Sequence, residues 1–427
     1  MAATAAVIAA VITAASGGAR PIGNAVDRRD GVLRQLRWGR RRIGRTERTP
    51  VLPDGLLAPD GAWSADADAS WIAEWSVRTW INRALLSAPH PEDRPAGRGF
   101  SLSSFGRSSA DRVMAYPTIL HHFDASPFSE KIRVIFGFKG ISWRSVRIPR
   151  IMPKPDLMPL TGGYRRTPVM QIGADVFCDT QIIIREIERR FPSPTLFPSG
   201  GAGVPWALAL WTDRTLFQNA VSLVFGTLGA KVPPEFVEDR SRLRGASFDV
   251  ERMRAAIPQM RDQLRAHLGW IEAQLSDGRT WLLGDFSLAD VSAYMNVWYV
   301  RSSLVSTQDQ AVAGLDRIFA HLPRVAEWES RMRAVGHGRR EEMSAEEALA
   351  LAAKASPETV AESDPDDPNG RKVGDRVLVV PDDYGKVEVL GEIVSLSAQH
   401  IGIRRIDERV GEIVVHFPRA GFLVLPD

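Results

Sequence analysis

Thr118-Ile-Leu-His-His-Phe-Asp-Ala-Ser-Pro-Phe-Ser-Glu-Lys-Ile-Arg133 is the stretch on which the chain is organised. Its first half, 118 to 123, reads as a short strand. A tight turn follows, and a helix starts at Ser126. Serine is a good N-cap, and Pro127 at the first helical position gives up an N–H that would be orphaned anyway. Phe128, Ile132, Ile135 and Phe136 recur at helical spacing, so one face is buried. Ser126 therefore stands where free N–H groups and the positive end of the helix dipole meet solvent. Such a point holds anions. Taken alone, it is also what any capped helix looks like.

Working outward, the second strand is 143–148. A loop rich in Pro and Gly runs from 149 to 166. Strands at 168–172 and 176–178 are joined by Gly173-Ala174, a hairpin signal. Residues 180–190 form a helix with Ile182, Ile183 and Ile187 inward, ended by Pro192 and Pro194. Residues 203–336 read as all helix. Within them Ser287 and Asp290 stand three apart as in a capping box, and Phe286 and Val291 can form the hydrophobic staple beside it.

This β-α-β then β-β-α order resembles the thioredoxin-like domain of cytosolic glutathione transferases, with their helical domain after it. Ser126-Pro127-Phe128 resembles the serine-type classes, which have serine where others have cysteine. The Ser-x-x-Asp element resembles the structural folding signal of the transferase helical domain. The resemblance covers about residues 116–336. It implies a multidomain α+β protein with a thioredoxin-like α/β domain at 114–198 and an all-α domain at 203–336.

The resemblance also assigns roles. Ser126 donates a hydrogen bond to the glutathione thiolate as the catalytic residue. A hydrogen bond to a charge is worth about 1.5–3 kcal/mol, and a helix N-terminus adds about 0.3–1. At about 1.4 kcal/mol per unit, together they lower a thiol pKa by roughly one to three units. Thr167 and the implied cis Pro168 offer backbone to the cysteinyl part of the tripeptide, though the family commonly has an aliphatic residue at the Thr167 position. Asp179 and Thr180 answer the γ-glutamyl ammonium and carboxylate. Most relatives have serine where Thr180 stands. Lys154, Arg165 and Arg166 are candidates for the glycyl carboxylate. Trp211, Thr215, Phe217 and Phe225 are candidate walls for a second, electrophilic substrate; each reads equally well as core. Glutathione is then a co-substrate, detoxification the setting, and a homodimer the usual assembly.

Other residues read as structure. Cys178 is the one cysteine of 427 residues, so no intrachain disulfide forms, which fits a cytoplasmic protein. Beside Val176 and Phe177 it reads as packing. His121 and His122 are adjacent on a strand and face opposite ways, so they cannot serve one site. No metal-ligand spacing is visible. A net charge of +3 makes no case for a nucleic-acid binder, and no apolar run is long enough to span a bilayer.

The ends differ from this centre. Residues 1–113 hold many arginines and no lysine, with a basic run from Arg37 to Arg48. They read as a disordered leader, or as sequence upstream of a true start at Met114. Residues 70–86 carry helical spacing and form at most an isolated amphipathic helix. Residues 337–372 read as a linker with a short capped helix at Ser344 and an acidic stretch at 362–367. From 373 to 427, short strands at 377–380, 391–396, 400–404 and 413–417 suggest a small antiparallel SH3-like β-barrel, an accessory module.

Two other readings stand beside the transferase. One is a glutathione-dependent isomerase, lyase or dehalogenase. The other is a non-catalytic binding or scaffold protein on the same fold.

Overall fold

A computed structural model describes residues 116–198 and 201–427. The leader and its helix at 70–86 lie outside the described residues.

The opening stretch folds as its residues dictate. Strand β1 (Ile119–His122) turns into α1 (Pro127–Lys139). The Ser129 N–H donates to Ser126 Oγ at 3.2 Å, and Gly140 closes the helix at φ 65°. There follow β2 (Ser142–Arg147), a short helix α2 (Met158–Thr161), the hairpin β3 (Val169–Ile172) and β4 (Asp175–Cys178), then α3 (Thr180–Arg190). β1 pairs parallel with β2 and antiparallel with β3, and β3 pairs antiparallel with β4. This is the thioredoxin-like arrangement, and every residue of β1, β3 and β4 is buried.

The helical part begins with α4 (Gly203–Trp211), which passes through one wide π-type turn at Thr212–Leu216 into α5 (Phe217–Leu228). α6 (Pro234–Arg244), α7 (Val250–Ala255) and α8 (Ile257–Gln274) lead to α9 (Leu288–Ser303), the central helix. Small helices α10 (Thr307–Ala313) and α11 (Leu315–Ile318) precede α12 (Pro323–Ala334). The box at the start of α9 does more than cap it. Fully buried Asp290 accepts from Ser287 N (3.1 Å), Ser287 Oγ (3.0 Å), Leu282 N (2.8 Å) and Trp328 Nε1 (3.0 Å). It thus ties α9 to α12 and to the turn before α9. Burial nevertheless pushes its carboxyl up to about 6.

The C-terminal part departs from the sequence reading. β5 (Arg339–Glu342) adds a parallel edge strand beside β2. The segment expected to link is tied down in places: Asp367 is buried and pairs with Arg419 at 3.1 Å. α13 (Ala345–Lys354) is capped by Ser344 as read, and Glu347 completes a capping box with it. Strands β6 (Arg376–Pro381), β7 (Val389–Leu396), β8 (His400–Asp407), β9 (Gly411–Pro418) and β10 (Phe422–Pro426) complete the chain's elements. Their order is β10-β6-β7-β8-β9, and β9 continues into β4 by parallel pairing of Asp175–Phe177 with Val414–His416. The five strands are therefore not a closed barrel standing apart. One edge is used up on the first sheet, making a single ten-stranded sheet.

Buried side chains at the β4–β9 seam explain the attachment. His416 Nε2 lies 3.0 Å from Asp175 Oδ1, and His400 Nε2 lies 2.9 Å from His416 Nδ1. Phe177 stacks on the His416 ring with centroids 4.4 Å apart. Asp175 also accepts from the Glu358 N–H at 2.6 Å and from the Thr359 hydroxyl.

Candidate functional site

Between the first sheet, the helices and the C-terminal strands lie two adjoining cavities of about 200 and 810 Å³. Phe128, Arg166, Thr167, Phe217 and Tyr384 line both.

The smaller one holds Ser126 at the tip of α1. Its Oγ accepts the Ser129 N–H, so the hydroxyl proton is left to donate outward. Ser129 is fully buried, lines neither cavity and is no substitute for Ser126. Thr167 stands opposite on the loop before β3, and the Thr167–Pro168 bond is cis, as the resemblance implies.

The larger cavity holds Thr167, Pro168, Asp179 and Thr180 together. Asp179 has φ 93°, a left-handed value that non-glycine residues rarely take. Its carboxylate caps α3 by accepting the Gln181 N–H at 2.9 Å. Burial raises its pKa, and so does nearby Asp213, while Arg166 and Lys131 pull the other way. A strained residue whose carboxylate faces a cleft at a helix N-terminus marks a place worth testing for ligand. Asp213, which the sequence reading missed, lines the same cavity and takes a bidentate bond from fully buried Lys131 at 2.8 and 3.0 Å.

The three loop cations behave differently from one another. Arg165 pairs with buried Asp239. Arg166 pairs with Asp383 at 2.5 Å and lies 4.1 Å from the Tyr384 ring centre, both on the β6–β7 loop. Lys154 has no carboxylate on it among the described residues. Its ammonium donates to Arg165 O (3.0 Å) and Thr167 Oγ1 (3.3 Å), and burial, then Arg240 and Arg165, lower its pKa to about 7.

The second-substrate walls need correction. Phe217 and Phe225 line the smaller cavity. Trp211 and Thr215 do not line either one. Trp211 packs on His267 and Trp270, at 5.5 and 5.6 Å, and Thr215 is exposed. The wide turn at Thr212–Leu216 is the reason: its extra residue changes the phase between the two helices, so Trp211 before it does not share a face with Phe217 and Phe225 after it. Beyond it Phe217, Val221, Val224, Phe225 and Leu228 face the cleft at helical spacing. A 3.6-residue period drawn straight through 203–228 has no signal for that insertion.

The residues read as packing are packed. Cys178 is fully buried, and burial raises its thiol well above the ordinary range. His121 bonds Gln171 at 2.8 Å and His122 bonds Ser145 at 3.0 Å, and neither lines the cleft. Among the described residues no cluster of His, Cys, Asp and Glu has the makings of a metal site, and no helix is long and apolar enough to cross a membrane.

Comparison with known proteins agrees with this geometry. Residues 120–195 match the glutathione S-transferase N-terminal domain, and residues 254–331 match the glutathione S-transferase C-terminal domain. The chain is 30% identical over 186 residues to FtsZ-localized protein A of Caulobacter vibrioides, covering 42% of this chain and 75% of that one. Among solved structures it is 36% identical to a GST-like protein from Pseudomonas syringae. That match covers 72% of this chain and 99% of the other, with a TM-score of 0.60.

Proposed function

The chain belongs to the glutathione S-transferase family, and from that premise we propose that it binds glutathione and activates the thiol for attack on an electrophile. The observation that carries this is the shared cleft: Ser126 and the Thr167–Pro168 loop face each other, with Asp179 and Thr180 continuing the same wall.

In this reading the γ-glutamyl carboxylate sits on the N-terminus of α3 and the Thr180 hydroxyl, and Asp179 takes the ammonium. Thr167 pairs with the cysteinyl backbone. Lys154 takes the glycyl carboxylate, because Arg165 and Arg166 are already paired. The thiolate then lies at the tip of α1, where the Ser126 hydroxyl donates to it. The serine is a hydrogen-bond donor and not a nucleophile. The protein acts as a cytoplasmic homodimer, as the family commonly does.

The test is Ser126→Ala. Loss of a hydrogen bond to a charge, about 1.5–3 kcal/mol, corresponds to roughly ten- to hundredfold less turnover at neutral pH. Glutathione affinity should change little. Ultraviolet titration of the bound thiolate should move alkaline, with the rate profile following. If both variants titrate and turn over alike, Ser126 is only a cap.

A second reading is favoured by one relative's name. FtsZ-localized protein A is named for where it sits and not for a reaction. On that precedent the fold here serves as a binding or scaffold protein. Retention on immobilised glutathione without turnover of any generic electrophile would favour it, whereas turnover sensitive to Ser126→Ala would exclude it as the whole account.

A further inference from the structure

The cavity beside Ser126 has an unusual lining for a place that would receive an apolar electrophile. Its floor is aromatic, with Phe128, Phe217, Phe225, Phe236 and Phe248. Its rim is cationic: Arg150, Lys154, Arg165, Arg166, Arg240 and Arg244 all line it, and among the described residues no Asp or Glu does.

Salt bridges neutralise only part of this charge. Asp239 is buried outside the lining and is shared by Arg165 and by Arg240 at 3.1 Å. Asp383 takes Arg166. Arg150 and Arg244 instead lie against rings. The Arg150 guanidinium lies 5.4 Å from the Phe236 ring and 5.9 Å from Phe123. Arg244 donates to Gln218 Oε1 at 3.1 Å and lies 5.7 Å from Phe248. Arg240 sits 4.6 Å from Phe236 and donates to the Arg150 carbonyl at 3.1 Å. Aromatic faces thus hold three guanidinium groups over one floor; Arg240 shares Asp239, whereas Arg150 and Arg244 have no carboxylate on them among the described residues, and like charges repel unless an anion joins them. The excess is felt nearby. After burial itself, the positive charges of Arg240 and Arg165 are what push the Lys154 ammonium down, against Asp239 alone.

We infer that the second substrate is an aromatic or hydrophobic electrophile bearing an anionic group, carboxylate or sulfonate, held by Arg150 and Arg244 over the Phe236 and Phe248 floor, with the Asp239-paired Arg240 beside them. This rests on the preceding reading only in calling the ligand a substrate; the anion preference of the cavity stands without glutathione. In the reaction tested, the thiolate sulfur attacks the chlorine-bearing ring carbon, a C–S bond forms, the C–Cl bond breaks and chloride leaves with the electron pair. The thiol proton goes to solvent. The anionic group takes no part and only places the ring.

The experiment uses matched pairs of probes on the full chain. For binding, anilinonaphthalene sulfonate is compared with its uncharged parent phenylnaphthylamine by fluorescence titration. For turnover with glutathione, a chlorodinitrobenzoate is compared with chlorodinitrobenzene. The sulfonate should bind roughly tenfold tighter than its parent, the size of one good hydrogen bond to a charge. The kcat/KM ratio of the two electrophiles should favour the carboxylate by a similar factor. The Arg150→Gln, Arg244→Gln double variant should bring both ratios down towards one. Arg244→Lys, which keeps the charge, should restore part of the binding ratio compared with Arg244→Gln. Equal or tighter binding of the uncharged parent by the wild-type chain overturns the inference, and so does a ratio that ignores the arginine substitutions. If neither electrophile turns over while the sulfonate preference stands, the transferase reading fails and this inference survives. If both turn over equally and binding shows no preference, the reverse is true.

Discussion

The first four strands have two apolar faces, and the chain covers them in opposite ways. Leu120, Met170, Ile172 and Phe177 look towards α1, α3 and the helices beyond. Ile119, Val146, Val169, Val176 and Cys178 look towards α13 and the C-terminal strands, meeting Ala348, Ile401, Ile403 and Val415. Both faces are equally dry, as expected of a sheet buried on two sides. One cover comes at once in sequence; the other arrives some two hundred residues later. The C-terminal strands are therefore as much a part of this fold's core as the helices. They also reach the cleft, where Asp383 and Tyr384 fix Arg166.

The largest expected effect comes from removing the late cover. A chain ending at residue 355 would lose the strands that bury Val176, Val169 and Ile119. Each such side chain is worth about 1.5–3 kcal/mol, so a handful exceeds a net stability of about 5–15 kcal/mol. The truncated chain should be insoluble, or lack a cooperative melt by circular dichroism. A soluble truncated chain with the melting temperature of the full one would make the C-terminal strands an accessory module after all.

Next in size is a cavity in each cover. Ile403 in β8 and Leu223 in α5 are both fully buried. Replacing either with alanine should cost about 2–5 kcal/mol. If both covers belong to one cooperative unit, each variant shifts one and the same calorimetric transition. Two transitions, with Ile403→Ala moving only one of them, would separate the C-terminal strands from the rest.

The same division separates the legible from the illegible in the sequence. Ser126, Pro127, Ser287, Asp290 and Ser344 are local signals, each readable within four residues, and the structure has the helices they start. The strands at 377–417 were legible as strands for the same reason. Their partner was not, because strand pairing is long-range and Val414–His416 carries no mark that says β4. Nor was β5, whose Arg-Arg-Glu-Glu lacks any alternation of apolar and polar residues. In the cleft, Ser126, Thr167, Asp179 and Thr180 stood out because each opens or precedes an element. Arg150, Arg240 and Arg244 did not, because a surface arginine in sequence looks the same whether or not it rims a pocket.

A smaller effect sharpens the helix side. Asp290→Ala leaves Leu282 N–H and Trp328 Nε1–H without their acceptor as well as the cap. The cost should be about 2–3 kcal/mol, above that of an ordinary cap. Asp290 does not line the cleft, so turnover per folded molecule should hold. Unchanged melting with lost turnover would mean the residue had been misread.

The smallest effect is a slope, and its sign differs between the two covers. Asp290 has a carboxyl raised from 3.8 to about 6. Between those values the folded state holds the extra proton, so its contribution is present at low pH and lost as pH rises. His400, at the seam with the C-terminal strands, is lowered from 6.5 to about 3, first by burial and then by His416. The contacts run from Ser395 Oγ to His400 Nδ1, from His400 Nε2 to His416 Nδ1, and from His416 Nε2 to Asp175. A second proton on His400 puts a charge in a half-buried place and against His416. Here the unfolded state holds the extra proton, so stability is present above pH 6.5 and is lost as pH falls from there towards 3. The slope is at most about 1.4 kcal/mol per pH unit, and less where solvent reaches the half-buried ring. Denaturant melts at about pH 5.0 to 6.5 should therefore show a shallower decline for His400→Asn than for wild type. Asp290→Asn should make the decline steeper. If His400→Asn melts with the wild-type slope, the histidine seam holds the two sheets together without sensing the proton. The acid sensitivity would then belong to His121 and His122, which burial lowers to about 4 and about 3.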